Sequence, residues 1–179
     1  NKLEVQSEDV FRLFEKNKRK ASIAKAALNN KVEPFPGFDV TEFNSEIWKV
    51  KKSEKYGNSY TLYIHSLRVT VELMLAYEAT KEEKYFNKAE EILLSWIEYS
   101  KLDDDNKMIW YDHTTANRVQ VLIHYLYLAN VLDRKINIKV FKGILEKHAE
   151  VMIDDAIYKH NNHGLMMDRS LIILGYILD

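Results

Sequence analysis

The sequence contains no cysteine, and only two prolines and five glycines among its 179 residues. The absence of cysteine excludes disulfide bonds, thiolate metal ligands and a cysteine nucleophile. Because turns depend on Pro and Gly, their scarcity argues against a fold of many short strands and favours helices. Apolar runs such as Leu171 to Leu174 are far shorter than the roughly 20 residues of a membrane-spanning helix. The sequence therefore predicts an all-α protein without a membrane span.

An excess of charge of either sign is also lacking. The chain has 26 basic and 27 acidic side chains, which gives a formal net charge of -1. No global positive field is available to hold a nucleic acid, so nucleic acid is excluded as a partner, and any attraction for an acidic glycan must be local. The basic cluster between Lys16 and Lys20 is interpreted as a solvated helix face. The 46% of hydrophobic residues are enough for one domain with a sizeable core.

Hydrophobic periodicity divides the chain into a lead-in and a helical region. Within the lead-in, residues 1–59, we expect a charged helix over 8–29 followed by irregular structure. Within 60–179 we expect five helices that alternate in character. Three are apolar on nearly every side and two are amphipathic, in the order 60–78 apolar, 81–99 amphipathic, 114–132 apolar, 138–157 amphipathic and 164–178 apolar.

This alternation predicts a repeat of helical hairpins. A helix that is apolar all round must be covered on all sides, whereas an amphipathic helix lies outside. The apolar helices recur about every 50 residues, which is typical of an (α/α) toroid or solenoid built from two-helix repeats. The toroid is expected to be incomplete, because the chain stops at Asp179, where another outer helix should follow.

The same repeat predicts the position of a functional site. Loops that enter the apolar helices should lie at one end of the toroid, and they are the densest polar and aromatic clusters of the sequence. These loops are Lys55–Asn58, Trp110–His113 and His160–Gly164.

Two of the loops carry motifs of a known enzyme group. The residues from Asn161 to Asp168, Asn-Asn-His-Gly-Leu-Met-Met-Asp, resemble the Asn-Asn-His-Gly signature of the heparinase II/III and alginate lyase group. The residues from Trp110 to Arg118 resemble the group's Trp-x-Asp-x-x-Thr-x-x-Arg pattern, and the stretch 84–97 is similar to its helical N-terminal domain. Together these similarities cover about residues 45 to 179.

The resemblance implies a carbon–oxygen lyase that eliminates across a uronic acid. Such an enzyme removes the proton on C5 and expels the C4 oxygen, and one hydrogen-bond donor to the developing anion can contribute about 3–4 kcal/mol. By resemblance, Asn162 holds the substrate carboxylate and His163 exchanges protons near the scissile bond. The remaining residues that we expect to contact substrate are Trp110, Tyr111, Asp112, Arg118, His160 and Asn161.

Structural alternatives stand beside these roles. Asn162 and Gly164 are also suited to close one helix and cap the next, and a single histidine such as His163 is more often structural than catalytic. His160 is interpreted mainly as a supporting residue. Trp96 and Tyr99 lie on an apolar helical stripe and are expected in the core.

The motif that precedes the second apolar helix is open to a similar second interpretation. Asp112 is suited to be the N-cap of that helix. Arg118 is suited to pair with Asp112, which we favour, or to hold a substrate carboxylate. Trp110 and Tyr111 can stack on sugar faces, or Trp110 can pack beneath its loop.

The function predicted from the sequence is thus part of a polysaccharide lyase acting on an acidic polymer such as a glycosaminoglycan or alginate, in the periplasm, at the cell surface or secreted. The alternative is a non-catalytic toroid that binds glycans or assembles surface polysaccharide. The group's mechanism also uses a Tyr and a His from later regions, so the chain alone is expected to be inactive. Neither cofactor nor metal is expected, because His160 and His163 outside a helix lack a fixed ligand geometry.

Overall fold

The computed structural model describes residues 3–102, 104–158 and 160–179. Within this part of the chain nearly all regular structure is helical, so the predicted all-α class is confirmed. The chain forms two compact units. The first unit is Leu13–Ile109, and the second unit is Asn1–Arg12 together with Trp110–Asp179. None of the described helices is long and apolar enough to cross a bilayer.

The first unit contains four α-helices and one short hairpin. The antiparallel hairpin pairs Lys31 with Glu42 and Val32 with Thr41. The elements are a 3-10 turn at Lys16–Lys18, α1 Ala21–Leu28, β1 Lys31–Val32, β2 Thr41–Glu42, a 3-10 turn at Ser45–Lys49, α2 Asn58–His65, α3 Arg68–Thr80 and α4 Glu83–Tyr99.

The helix expected over 8–29 forms only in its last third, as α1. Long-range contacts fix the preceding residues instead. The Lys20 N–H, at the start of α1, donates to Oε2 of Glu72 at 2.7 Å, and the Arg68 guanidinium lies 3.8 Å from the ring centre of Phe14. A distant carboxylate therefore caps the short helix, so the sequence prediction was wrong about where this helix begins.

The apolar segment 60–78 is interrupted, because Leu67 adopts a left-handed backbone with φ 59° between α2 and α3. This conformation costs about 1–2 kcal/mol for a residue with a Cβ. The Leu67 side chain is fully buried, which offsets the cost by a similar amount.

The α3–α4 hairpin follows the predicted amphipathic pattern. The α4 side chains Tyr85, Ile92 and Trp96 are buried, as is Tyr99, so the predicted core positions of Trp96 and Tyr99 are confirmed. Thr80 is the last residue of α3, where its hydroxyl donates to the Ala76 carbonyl.

The second unit contains α5 Asp112–Val131, α6 Ile138–Met152 and α7 Asn162–Leu178, preceded by a 3-10 turn at Ser7–Asp9. Helix α5 is buried on nearly all sides, as its apolar sequence predicts. A buried hydrogen bond from Gln120 Nε2 to Ser170 Oγ, 2.8 Å, joins α5 to α7. The Ser170 hydroxyl in turn donates to the Ala116 carbonyl at 3.0 Å, so this contact fixes the register of the two helices.

Helix α7 differs from its prediction. Its face with Met167, Ser170 and Leu174 is buried, but on the opposite face Ile172 and Tyr176 are 60% and 78% exposed. The physical reason is that α5 and α6 cover only one side of the helix. The expectation that α7 is covered on all sides is therefore wrong for the described residues.

Candidate functional site

The start of α5 supplies an acidic group to the surface of the second unit. Tyr111 is the N-cap residue, with φ -61° and ψ 146°, and Asp112 is the first residue inside the helix. The Asp112 carboxylate accepts a hydrogen bond from the His113 N–H at 2.5 Å, and only 1% of Asp112 is exposed. The N-terminus of a helix carries partial positive charge, which interacts favourably with an acidic side chain at this position.

The start of α7 brings the Asn-Asn-His sequence to the same place. Asn161 is the N-cap residue, and its side-chain oxygen accepts from the His163 N–H at 2.8 Å. Asn162 is exposed at the first helical position, while Gly164 is buried. The capping role considered for Asn162 is thus performed by Asn161, which leaves the Asn162 amide facing solvent.

Asp112 and His163 are in direct contact, although they lie 51 positions apart in sequence. Nδ1 of His163 is 3.2 Å from Oδ2 of Asp112. The Asp112 side chain is 2% exposed and the His163 side chain is 33% exposed. The buried carboxylate is thereby paired with an imidazole that still reaches solvent.

A second imidazole adjoins this pair. The rings of His113 and His163 lie 5.0 Å apart with 35° between their planes, and Tyr111 meets His163 edge to face at 6.2 Å. Burial lowers the pKa of His113, the charge of His163 lowers it further, and Asp112 acts in the opposite direction. His113 was not among the predicted site residues, although it stands within the quoted motif.

Trp110 and Arg118 form a separate cluster around a histidine of α6. Arg118 is fully buried, and its Nε donates to Nε2 of His148 at 2.8 Å. Nδ1 of His148 therefore carries the proton, which it donates to the Ile144 carbonyl at 2.7 Å. The Trp110 ring packs edge-on against His148 at 5.0 Å and lies 4.9 Å from the Arg118 guanidinium.

This arrangement differs from the pairing favoured for Arg118, since Asp112 is bonded to His163 and Arg118 to His148. Burial lowers the pKa of His148 strongly, and the Arg118 charge lowers it further. Sequence reasoning missed His148, yet the signal was present: it shares the apolar stripe of α6 with Leu145 and Met152.

His160 lies in the loop between α6 and α7. His160 is exposed and meets the Tyr158 ring edge to face at 5.2 Å. The Tyr158 hydroxyl donates to the Asp168 carboxylate at 3.1 Å. The His160 ring thus contacts another residue of the loop, and its role as a supporting or substrate-contacting residue stays a prediction. No three His, Cys, Asp or Glu side chains among the described residues are placed to hold a metal ion.

The third predicted loop belongs to the first unit. There the Tyr56 ring stacks on Phe38 at 4.1 Å, and Lys55 pairs with Asp39 at 2.9 Å. Gly57 has φ 57°, a conformation that favours glycine. The conformation of this loop is thus held by contacts within the first unit.

A cavity of about 720 Å³ lies at the other end of α5. It is lined by Tyr127, Asn130 and Arg134, among others, and by none of the predicted site residues. Asp112 and Asn130 are 18 positions apart, which corresponds to about 27 Å of helix. The candidate site is instead a cluster of side chains at the N-terminal ends of α5 and α7, formed by Tyr111, Asp112, His113, Asn161, Asn162 and His163.

Comparisons with known proteins identify solved structures of similar fold. No model of a known protein family matches the sequence, and no curated protein matches it. Two solved structures of the heparan sulfate lyase HepC from Pedobacter heparinus are similar, one of them a mutant. The mutant gives a TM-score of 0.63 at 19% sequence identity, and the other gives 0.61 at 18%.

The similarity covers 95% of this chain and 28% of the HepC mutant, and 93% and 27% for the second structure. The chain thus spans less than a third of the length of the structures that it matches. At this identity the likeness establishes the fold, a helical fold like that of this lyase.

Proposed function

We propose that this chain is part of a polysaccharide lyase that cleaves uronic-acid-containing glycans by β-elimination. The observation that carries the proposal is the 3.2 Å contact between His163 and Asp112 beside the exposed Asn162. The likeness in fold to a protein named as a heparan sulfate lyase supports the same reaction class. Because such polymers do not cross membranes freely, the proposal places the protein in the periplasm, at the cell surface or outside the cell.

The proposed chemistry uses the two residues in different ways. Nε2 of His163 accepts the C5 proton, and the electron pair of that bond forms the C4–C5 double bond as the C4–O bond breaks. The Asn162 amide donates a hydrogen bond to the substrate carboxylate, where negative charge grows during proton removal. The leaving oxygen takes up a proton, a step that the resemblance assigns to a Tyr from a later helix.

The test uses the full-length protein and a panel of uronate polymers that includes heparan sulfate and alginate. Lyase activity produces an unsaturated uronate, whose conjugated double bond absorbs in the ultraviolet. We expect Asn162→Ala to lower kcat by about 10²–10³-fold, as for loss of one donor to a developing anion, and His163→Gln to abolish turnover. Glu146→Gln is the control, because it changes an exposed carboxylate of α6 that pairs only loosely with Lys142 at 4.0 Å.

Two results would contradict the proposal. One is the absence of unsaturated product from every polymer of the panel, and the other is full activity of Asn162→Ala. Binding of these polymers without cleavage would instead support the non-catalytic glycan-binding alternative.

A further inference from the structure

The contact with Asp112 determines which nitrogen of His163 is available. An ionised carboxylate only accepts hydrogen bonds, so Nδ1 of His163 carries the proton that points at Asp112 Oδ2. Nε2 is then left with its lone pair, and it makes no hydrogen bond to any residue in the described part of the chain. Since a third of the His163 side chain is exposed, this nitrogen is accessible to a ligand.

His113 shares the surroundings of His163. Its ring lies 5.0 Å from that of His163, and its own backbone N–H is bound by Asp112. Among the described residues, the groups in ring or side-chain hydrogen-bond contact with His163 all come from the start of α5: Tyr111, Asp112 and His113. The titratable groups His160 and Asp168, which are close to His163 in sequence, are each in contact with Tyr158.

The Asp112 carboxylate therefore contacts both histidines: it is within hydrogen-bond distance of the His163 ring and accepts a hydrogen bond from the backbone N–H of His113. A single proton on either imidazole balances the charge of Asp112, whereas two protons leave an uncompensated positive charge in a half-buried cluster. Burial lowers the pKa of His113. The carboxylate of Asp112 contacts the ring of His163 and not that of His113. The geometry thus favours a neutral His113 beside the hydrogen-bonded His163.

We propose that Asp112, His113 and His163 act as one unit: Asp112 is a positioning residue that presents Nε2 of His163 to the substrate, and His113 is a second imidazole that stays neutral while His163 carries the proton. The inference deepens the proposed function and rests on it for the identity of the substrate. It adds a role for Asp112 that does not require contact with the sugar.

The first test needs no substrate. Nitrogen-15 NMR of the histidines reports which ring nitrogen is protonated. We expect neutral His163 to carry its proton on Nδ1 in the unmodified protein, and Asp112→Asn to reduce that preference, because an amide can donate as well as accept. A proton mainly on Nε2 of His163 in the unmodified protein would overturn the proposal.

The same spectra follow protonation of His113 as a function of pH. His163→Gln should raise the pKa of His113, since it removes the neighbouring positive charge, and Asp112→Asn should lower it. An unchanged pKa of His113 in both variants would show that the three groups are not coupled. Glu146→Gln again serves as the control and should leave the His113 titration unchanged.

The second test measures turnover of uronate polymer by the full-length protein. Asp112→Asn should lower kcat by about 10–10⁴-fold, the range seen when an orienting partner is lost, with little change in KM. The acid limb of its pH–rate profile should move to lower pH, because the carboxylate no longer stabilises protonated His163. Unchanged kcat and an unchanged profile would contradict the role of Asp112. If the unmodified protein cleaves no polymer, the proposed function fails, while the NMR experiment still decides whether the unit exists.

Discussion

The buried pair of Arg118 and His148 shows how a single side chain can look functional in the sequence and act elsewhere in the structure. A buried guanidinium is costly unless its N–H groups are hydrogen-bonded. His148 provides an acceptor for Nε at 2.8 Å, and the Trp110 ring adds a cation–π contact at 4.9 Å. Arg118 is fully buried, so its contribution is to hold Trp110 and the start of α5 in place.

The protonation of His148 gives the first prediction. Its pKa is lowered in the folded protein by burial and by Arg118, whereas an unfolded histidine has a pKa of about 6.5. The unfolded state therefore binds more protons at acid pH. We expect the free energy of unfolding to fall as the pH decreases from about 6.5 toward the lowered pKa, by at most about 1.4 kcal/mol per pH unit for each such histidine.

Urea unfolding of His148→Phe between about pH 8 and pH 5 checks this. The variant should lose about 1–3 kcal/mol, because Nε of Arg118 loses its acceptor, and its stability should depend less steeply on pH. Part of the slope should remain, since His113 has a lowered pKa as well. The exposed His160→Gln is the control. Equal slopes for His148→Phe and the unmodified protein would contradict the prediction.

At the scale of elements, the hydrophobic period predicted α4, α5 and α7 to within a few residues, because burial of one face or of all faces determines these helices. The prediction of a helix over 8–29 was wrong for its first part, where the side chains are less buried. Lys- and Glu-rich residues favour a helix only by fractions of a kcal/mol, and the contacts of Phe14 and Lys20 with α3 outweigh that preference.

The candidate site was predictable only in part. Its residues could be found from the motifs, and the repeat correctly predicted that the loops entering α5 and α7 meet. The contact between Asp112 and His163 depends on how α5 packs on α7 through Gln120 and Ser170. That packing depends on how α5 and α7 are aligned against each other, and the pattern of apolar residues within each helix does not specify this alignment. The neighbouring His113 was missed for the same reason.

The N-cap of α7 gives a prediction that distinguishes the structural role of Asn161 from the functional role proposed for Asn162. Asn161→Ala should lower the free energy of unfolding by about 0.5–2 kcal/mol, because the His163 N–H loses the acceptor that it has at 2.8 Å. Asn162→Ala should change stability by less than about 0.5 kcal/mol, since Asn162 is exposed. Urea unfolding of both variants provides the measurement, and Asn161→Ser, which keeps a capping oxygen, is the matched control.

The opposite order of effects would reassign the two residues. If Asn162→Ala destabilised the protein more than Asn161→Ala, Asn162 would be the cap, and its loss of turnover would no longer indicate a substrate contact. The two neighbouring positions therefore provide a direct check on the role proposed for Asn162.

At the scale of the whole molecule, charge is nearly balanced and spread over the surface. The net charge is -1, and ion pairs such as Lys49–Glu46 and Lys101–Glu98 join exposed side chains that are close in sequence. Pairs of this kind contribute about 0–1 kcal/mol each and create no extended field. An acidic polymer would therefore be held by groups at the site itself, such as the Asn162 amide and the imidazole of His163.

This balance predicts a weak salt dependence of glycan binding. In nucleic acids, each phosphate that a protein cation neutralises contributes about -0.7 to -0.9 to the slope of log affinity against log salt concentration, and we expect a similar value for each acidic group of a uronate polymer. Full-length His163→Gln, which should bind without turnover and keeps His113 as the one imidazole of the candidate site, should give a slope no steeper than about -1. Calorimetric titration with a uronate polymer at several salt concentrations measures it, with a neutral glycan as the control. A slope steeper than about -3 would mean that a basic surface elsewhere in the protein, and not the candidate site, holds the polymer.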